Sequence, residues 1–489
     1  MAVILFALLA TAAFYFPLTT SEAQADFGVD PAEPDMPRIW DRSRSTFGKE
    51  DFLKERAEAY AIKRGIIDGN APDPGARPAA VRKMEQQEIA RDLLPPSEAK
   101  NALLAAWSPI GPNPIPNGSF PWSGRVIAIA VHPTNPNIVY VGAAQGGLYR
   151  STDGGTNWTA LMDNALSLAI GAIAISPSQP ETVYVGTGEP NFSSDSFFGV
   201  GIYRIDNAST TANISGPFNK NAGNSDIFTG RGIGEIIVHP TNPNVIFAGS
   251  TSGLGGIGGA ANNVLPSRGI YRSDNAAGAS PTFTKMTGLA ANTNASIRDL
   301  AIDPNDPNIL IANAIIGGGT GGIYRSTNAL AADPTTATFA LVEAFNSTST
   351  SELTAEFTAI HPAANADATF YAATGNLGGR VLRSTNGGAT WTQQIDNNFC
   401  TPQCFYDIAV AVDPVNADKL YLAGSPTMVI GYSSNAGVSF TNSGSGVHVD
   451  SHAIAVAPSD PNTVYLGTDG GIYKSTNAAA SFTSLNNSQ

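Results

Sequence analysis

The sequence predicts an all-β protein, a β-propeller of seven four-stranded repeats preceded by a short helical leader. The 489 residues include 50 glycines and 33 prolines but only 14% charged residues, which favours many turns over long helices. A unit such as residues 128–161 recurs along most of the chain. Each copy contains short apolar segments separated by polar turns, which is the pattern of a propeller blade.

Residues 1–25 are predicted to be a signal peptide. Ala2–Leu18 is an apolar run of the right length, and Ala23–Ala25 fits a small-x-small cleavage site. No Lys or Arg precedes the run, so an uncleaved anchor remains an alternative. No later stretch is apolar enough to span a membrane. We therefore expect a secreted, periplasmic or cell-surface protein.

Residues 26–106 are expected to form a charged helical leader. They hold 13 of the 27 Lys and Arg residues, and the segments 49–65 and 79–94 have helix-forming composition. No chemistry is assigned to them. The whole chain carries a net charge of −13, which disfavours a nucleic-acid partner because phosphate neutralisation requires clustered cations.

Residues 107–489 are predicted to be the propeller, and each repeat is anchored by a proline after its first strand. The seven anchors, spaced 44 to 64 residues apart, are Pro133, Pro177, Pro240, Pro304, Pro362, Pro414 and Pro458. The first copy reads "AIAVHPTNPNIVYVGAAQGGLYRSTDGGTNWTAL". It supplies a small-residue first strand, then "IVYVG", "LYRS" and "TNWTAL". Small residues suit the crowded position near the propeller axis.

Two alternatives stay open for closure of the ring. The segment "WSPIG", Trp107–Gly111, resembles a fourth strand without its first three. Either the ring closes at seven copies and Trp107 packs as a cap, or the propeller is truncated at its C-terminus and further blades follow.

The turn "STDGGTNW", Ser151–Trp158, raises the question of whether Asp153 is catalytic or structural. An aspartate can accept hydrogen bonds from its own turn, and Trp158 can pack between blades. In the copy "STNGGATW", Asn386 replaces the acid and Trp391 follows. Other copies also carry asparagine, which keeps the acceptor oxygen but cannot act as a general acid. The interpretation is therefore structural for Asp153, Trp158, Asn386 and Trp391.

This turn resembles the Asp-box, or bacterial neuraminidase repeat, with the pattern SxDxGxxW. By this resemblance residues 107–489 are similar to secreted Asp-box propellers: sortilin-like domains, photosystem assembly factors, xyloglucanase-type glycosidases and sialidases. The resemblance implies the propeller fold. It does not imply one function, because these proteins include receptors, assembly factors and hydrolases.

A functional site is expected on the face opposite to these turns. Antiparallel alternation places the starts of the first strands and the loops between second and third strands on one face, here called the mouth. Long loops gather there, as at many binding sites. The candidate residues at the mouth are Arg125, Glu189, Arg298, Glu356, Asp407, His448, Asp450, His452 and Asp469. They form either a ligand site or internal ion pairs around a water-filled channel.

The segment "HVDSH" is the most pointed group among these candidates. In an extended strand His448, Asp450 and His452 would share one face. Two imidazoles and a carboxylate can hold a divalent metal, and His452 can serve as an acid or base beside Asp450. The alternative is a hydrogen-bonded strand without chemistry. We predict no metal and no cofactor.

The predicted function is an exported binding module that recognises an extracellular protein or a glycan through the mouth. The alternative is a xyloglucanase-like hydrolase, which needs two opposed carboxylates and an aromatic cleft. Asp407, Glu356 and Asp469 are the available acids, and no catalytic residue is assigned. Sequence does not specify the oligomeric state.

The two cysteines, Cys400 and Cys404, lie in "FCTPQC". In an exported protein a short-loop disulfide is the expected state. No other soft metal ligand is adjacent, and thiol redox motifs use the tighter CxxC spacing.

Overall fold

The computed structural model describes residues 75–93, 115, 121–190, 196–252, 265–289, 294–317, 320–346, 354–360, 367–401, 403–425 and 427–486. The predicted signal peptide and Trp107 lie outside these residues. Within the predicted leader, helix α1 spans Ala76–Asp92 and is mostly exposed. No helix in the described ranges is both long and apolar enough to cross a membrane.

The β-strands fall into seven sheets, which we call blades 1 to 7 in chain order. Blade 1 contains β1 (Val126–Val131), β2 (Val139–Ala143), β3 (Gly147–Ser151) and β4 (Thr159–Ala160). Blade 2 contains β5 (Ile170–Ser176), β6 (Gln179–Thr187), β7 (Ile202–Asp206) and β8 (Asn213–Phe218). Blade 3 contains β9 (Gly232–Val238), β10 (Ile246–Thr251), β11 (Ile270–Ser273) and β12 (Thr284–Lys285). Blade 4 contains β13 (Gly288–Leu289), β14 (Ser296–Ile302), β15 (Leu310–Gly317), β16 (Thr320–Ser326) and β17 (Thr338–Asn346).

The three remaining blades follow the same order. Blade 5 contains β18 (Ala355–Ile360), β19 (Thr369–Thr374), β20 (Arg380–Ser384) and β21 (Thr392–Asp396). Blade 6 contains β22 (Ala409–Asp413), β23 (Asn416–Ala423), β24 (Gly431–Ser433) and β25 (Thr441–Asn442). Blade 7 contains β26 (Ser451–Val456), β27 (Val464–Thr468), β28 (Gly471–Ser475) and β29 (Thr483–Ser484). The four main strands of each blade pair in sequence order, and β13 adds a short parallel strand to β17.

The seven blades form a closed propeller ring, so the predicted fold class is confirmed. Each first strand contacts the first strands of both neighbouring blades, and β26 of blade 7 contacts β1 of blade 1. Blade 7 is built from β26–β29 alone. The described ring therefore closes with seven repeats. It is sealed by contacts between neighbouring blades.

The hydrophobic core is divided among the junctions between neighbouring blades. One cluster joins Val139 and Val141 of blade 1 to Tyr465 and Ile472 of blade 7, and an equivalent cluster fills each other junction. Glycine at the end of a second strand allows this approach. A Cβ on Gly142 would lie 2.5 Å from Ile170 Cγ2 of the next blade, which real side chains do not tolerate.

Cationic side chains on the third strands join one blade to the next. Arg150 Nη1 of blade 1 donates to the carbonyls of Ala208 and Thr210 at 2.8 and 2.7 Å. These carbonyls belong to the turn between the third and fourth strands of blade 2. The same contact recurs from Arg204 to Ala276 and Gly278, from Arg272 to Ala329 and Ala331, from Arg325 to Gly387, and from Lys474 to Gly154. The contact of Lys474 joins blade 7 to blade 1, so it helps to close the ring.

The polar turn of blade 1 is held together by Asp153. Its carboxylate accepts from Ser151 Oγ at 2.8 Å, and from the backbone and side chain of Asn157 at 2.9 and 2.7 Å. Gly154 and Gly155 take positive φ angles of 74° and 95°. The serine contact recurs at 2.8 to 3.2 Å for Asn275, Asn328, Asn386, Asn435 and Asn477. An amide oxygen thus replaces the carboxylate without loss of the turn.

The tryptophans after these turns pack between blades. Trp158 lies against the cluster between blades 7 and 1, and Trp391 lies against the cluster between blades 4 and 5.

Cys400 and Cys404 are bonded to each other, with Cα atoms 4.7 Å apart. Both sulfur-bearing residues are buried between blades 5 and 6 beside Phe399.

Asp153→Asn is expected to keep the fold and any ligand binding, with a loss of stability that depends on pH. Hydrogen bonds from Asn157 and Ser151 lower the pKa of Asp153 to about 2. A depressed pKa stabilises the folded state above the ordinary value near 4, and this contribution disappears as pH falls through about 2. Unfolding midpoints of wild type and variant should therefore converge between pH 5 and pH 2. Asn386→Asp is the reverse control, and a difference that is constant with pH contradicts the prediction.

Tyr465→Phe is expected to lower the free energy of unfolding by about 1 kcal/mol. The Tyr465 hydroxyl of blade 7 donates to the carbonyl of Pro136 in blade 1 at 3.0 Å, so the change leaves that carbonyl without this donor. Tyr140 occupies the same strand position in blade 1, but its hydroxyl has no hydrogen-bond partner among the described residues. Tyr140→Phe is thus the matched control. In chemical denaturation it should lower the free energy of unfolding much less than Tyr465→Phe does. Equal losses would argue against a role of Tyr465 in closure.

Candidate functional site

A pocket of about 510 Å³ opens at the mouth beside blade 1. Its walls come from the lead-in to β1 and from the hairpin between β2 and β3, and they include Trp122, Arg125, Gln145 and Tyr149. Trp122 packs edge-on against His448 of blade 7, with ring centroids 4.7 Å apart. The pocket therefore lies at the junction that closes the ring, and it combines two aromatic rings with a cation and an amide.

Arg125 connects this pocket to the centre of the mouth. Its Nε lies 3.1 Å from Glu189 Oε1, and its Nη2 donates to Glu189 Oε2 at 3.2 Å. Glu189 is fully buried in the loop after β6. The Arg125 guanidinium also stands over the Tyr406 ring, 5.2 Å from its centroid. These contacts orient the guanidinium, since the buried carboxylate requires its charge.

His452 and Asp469 form the central polar pair of blade 7. His452 Nε2 lies 2.7 Å from Asp469 Oδ1, and Nδ1 faces the Tyr406 carbonyl at 3.3 Å. Both ring nitrogens thus face acceptors, while the ring packs edge-on against Tyr406 at 4.6 Å. Burial opposes ionisation of Asp469, but the hydrogen bond from His452 and the charge of Arg125 outweigh it and lower its pKa. Asp469 is 31% exposed and is therefore an ionised, accessible acceptor.

Asp407 is the opposite kind of acid. It is fully buried, 3.5 Å from His452 Nδ1, and burial together with the charges of Asp450 and Asp469 raises its pKa to about 10. Its protonated carboxyl can donate to Asp450, which also accepts from Ser425 Oγ at 2.5 Å. Two acids of one cluster are thus driven to different protonation states at neutral pH.

The strand alternation predicted for "HVDSH" is interrupted. Strand β26 begins at Ser451, and Asp450 has a left-handed φ of 65°. His448 Nδ1 bonds to the Val449 carbonyl at 2.6 Å, whereas His452 bonds to Asp469. The three side chains therefore do not form one row, because the backbone turns at Asp450 before the pleat starts. Within the described ranges, no group of three His, Cys, Asp or Glu side chains is arranged to hold a metal ion.

A second charged cluster lies across blades 3 to 5. Arg298 Nη2 donates to Glu356 Oε1 at 3.1 Å. Asp299 accepts from the backbone of Phe357 at 2.6 Å and from that of Leu300 at 2.7 Å. Burial raises the pKa of both Asp299 and Glu356, and in Glu356 it does so against the effect of Arg298.

Sequence reasoning missed Asp299 and the neighbouring acid Glu235, whose pKa is raised by burial and by the charge of Asp299. Both stand five positions before the anchoring proline of their repeats. The other repeats carry Ala or Phe there: Ala128, Ala172, Phe357, Ala409 and Ala453. When the repeats are aligned, this position is apolar in the five other copies. The two acids stand out there, and this difference would have identified them.

The predicted candidates therefore divide into pairs. Arg125 pairs with Glu189, Arg298 with Glu356, and His452 with Asp469. Glu189 and Asp407 are inaccessible, while Asp469 and the pocket beside Trp122 are open. Chemically, the accessible part of the mouth can accept and donate hydrogen bonds next to aromatic surface.

The fold and this site define the chain as a seven-bladed β-propeller with a polar mouth. Neither a protein-family model nor a curated protein sequence matches the chain. Solved structures do resemble it. The GH74 xyloglucanase from Xanthomonas campestris matches with a TM-score of 0.52 and 18% identity, over 73% of this chain and 54% of that enzyme.

Two further structures resemble the chain less closely. The GH74 enzyme from Niastella koreensis has a TM-score of 0.27 at 16% identity, over 74% of this chain and 62% of that one. YCF48 from Cyanidioschyzon merolae has a TM-score of 0.44 at 14% identity, over 74% of this chain and 97% of that one. The chain thus spans between 54% and 62% of the length of these GH74 enzymes. At such identities the likeness concerns the fold.

Asp407→Asn is expected to reduce the loss of stability at alkaline pH. Because the folded protein holds the Asp407 proton up to about pH 10, while the unfolded chain releases it near pH 4, wild-type stability falls as pH rises through this window. Ionisation of this one group in the unfolded chain should lower the free energy of unfolding by about 1 kcal/mol per pH unit within this window. Thermal unfolding at pH 5, 7 and 9 should show a flatter profile for the variant. Parallel profiles would mean that Asp407 is ionised in the folded protein.

Proposed function

We propose that this chain is an exported carbohydrate-binding propeller, and that the pocket beside Trp122 holds a sugar unit of its ligand. The observation that carries this proposal is the combination of Trp122 and Tyr149 with Arg125 and Gln145 around about 510 Å³. Aromatic faces bury the apolar face of a sugar ring, while amide and guanidinium donors bond to hydroxyl groups. The accessible carboxylate of Asp469 adds an acceptor nearby.

A protein ligand would use the same face, but the pocket argues for a small, polyhydroxylated group. Among the described residues of its wall, Arg125 is the one cation, and Glu189 pairs with it. A neutral or weakly charged ligand is therefore preferred at this pocket. A protein partner is the other outcome that the experiment below distinguishes.

Glycoside hydrolysis is the second candidate function. The observation in its favour is the opposite protonation of Asp469 and Asp407, since glycosidases use one ionised and one neutral carboxyl. Against it, Asp407 is fully buried and its nearest groups belong to the protein. Without rearrangement it cannot reach a glycosidic oxygen, so binding is favoured.

Export is part of the proposal because of two features of the chain. The N-terminal apolar run fits a signal peptide, although residues 1–25 lie outside the described structure. The disulfide of Cys400 and Cys404 fits an oxidising compartment. The Asp-box resemblance supports the same assignment, because propellers with such turns are typically secreted.

The binding proposal is tested on a glycan array and by titration of the best oligosaccharide, followed by tryptophan fluorescence. Trp122→Phe and Tyr149→Ala should each weaken binding about fivefold, since each loses aromatic contact worth about 1 kcal/mol. Trp391→Phe is the matched control, because Trp391 packs beside Phe357 between blades away from the pocket. Failure of the wild-type chain to bind any glycan would overturn the carbohydrate assignment and leave a protein partner as the alternative.

Hydrolysis is tested in parallel with a polysaccharide screen that measures new reducing ends. No product is expected from the wild-type chain. Product formation that Asp469→Asn abolishes, without a change in unfolding temperature, would replace the binding proposal by the hydrolase candidate.

A further inference from the structure

Three cationic side chains converge on the mouth side of blade 3. Arg231 precedes β9, Arg268 precedes β11, and Lys285 lies in β12. Arg231 Nε donates to the Pro266 carbonyl at 2.7 Å, and Lys285 Nζ donates to Ser267 Oγ at 3.1 Å. Arg268 follows directly in the chain, and its charge acts on both Arg231 and Lys285, so the three charges lie close together around residues 266–268.

The two guanidinium groups are held by neutral acceptors. The backbone N–H of Arg268 donates to Asn294 Oδ1 at 2.8 Å, and its Nη1 donates to Ser296 Oγ at 2.7 Å. Arg231 is only 9% exposed. Both side chains are therefore positioned by the protein rather than extended into solvent, and their net charges are uncompensated by these contacts.

Among the described residues, the two arginines of this cluster differ from the other arginines of the mouth, because no carboxylate pairs with Arg231 or Arg268. In the part of the chain that the structure describes, neither Arg231 nor Arg268 is influenced by a carboxylate. The sequence from 250 to 269 contains no Asp or Glu, although the chain as a whole carries a charge of −13. By contrast, Arg125 and Arg298 each have a glutamate partner.

Mutual repulsion acts on the cluster. Burial and then the charge of Arg268 lower the pKa of Arg231 to about 10. Burial and the charges of both arginines lower the pKa of Lys285 as well. Like charges brought together in a partly dehydrated place raise the free energy of the folded protein, and a bound anion removes that penalty.

We propose that Arg231, Arg268 and Lys285 form a binding site for a carboxylate or sulfate group, separate from the pocket beside Trp122. Guanidinium groups match the paired oxygens of such anions, and the ammonium adds charge without strict geometry. The anion is either free in solution or carried by an acidic carbohydrate such as a uronate. The site does not depend on the carbohydrate proposal for the other pocket.

The test uses the full chain and titrates sodium sulfate at constant ionic strength, with sodium chloride as the replaced salt. A second arm uses trigalacturonate, and cellohexaose is the neutral control. Sulfate or trigalacturonate at millimolar concentration should raise the unfolding temperature of wild type. Arg268→Gln should weaken the apparent affinity about tenfold, as expected for one lost charge-assisted contact. Arg82→Gln removes one exposed charge from α1 and should leave the response unchanged.

The unliganded proteins provide an independent measurement. If Arg268 binds an anion, Arg268→Gln removes its repulsion with Arg231 and Lys285. Without added anion, the variant should therefore unfold at the same temperature as wild type or higher. A response to sulfate alone assigns a free oxyanion, and a response to trigalacturonate at lower concentration assigns an acidic carbohydrate. The proposal is overturned if Arg268→Gln destabilises the protein while its response to both anions equals that of wild type, or if neither anion acts on wild type.

Discussion

The contact between neighbouring blades is the interaction on which the rest of this structure depends. A four-stranded blade cannot bury both of its faces alone, so each apolar face is covered by the next blade around the ring. The cations on the third strands add hydrogen bonds that run from one blade to the next. Arg150 and its counterparts donate to turn carbonyls of the following blade, and Lys474 makes the last such contact back to Gly154. The polar turn therefore has to keep one shape, and Asp153 or an asparagine fixes it from within.

The same ring geometry explains the chemistry of the mouth. First strands crowd around the axis, so polar side chains at their starts are brought together and lose water. Ionisable groups respond by pairing, as Arg125 does with Glu189, or by staying neutral, as Asp407 does. Such networks are mainly internal. Among the described residues of the mouth, the pocket beside Trp122, the carboxylate of Asp469 and the cationic cluster of blade 3 are the candidates for contact with a ligand, and they have different chemical preferences.

The likeness to a GH74 xyloglucanase at 18% identity concerns the fold, and one fold can support many functions. Blade packing requires small residues, turn residues and aromatic rings at fixed places, and these are shared by proteins with different activities. The mouth is built from positions that blade packing leaves open. Glu235 and Asp299 illustrate this freedom, because they replace the small or apolar residues that most repeats carry at the same position.

The sequence alone determined the blades, their order, the turn built on Asp153 and the face where polar residues collect, because these follow from local periodicity repeated seven times. It also predicted candidate residues for the mouth, since register fixes which side of a strand a residue occupies. Only the tertiary structure decided which of them meet. His452 bonds to Asp469 rather than aligning with His448 and Asp450, because Asp450 has a left-handed φ and the strand begins only at Ser451. Arg231 and Lys285 are 54 residues apart in the chain, and only the folding of blade 3 brings their charges together, since spatial contact between distant residues leaves no periodic trace in a single sequence.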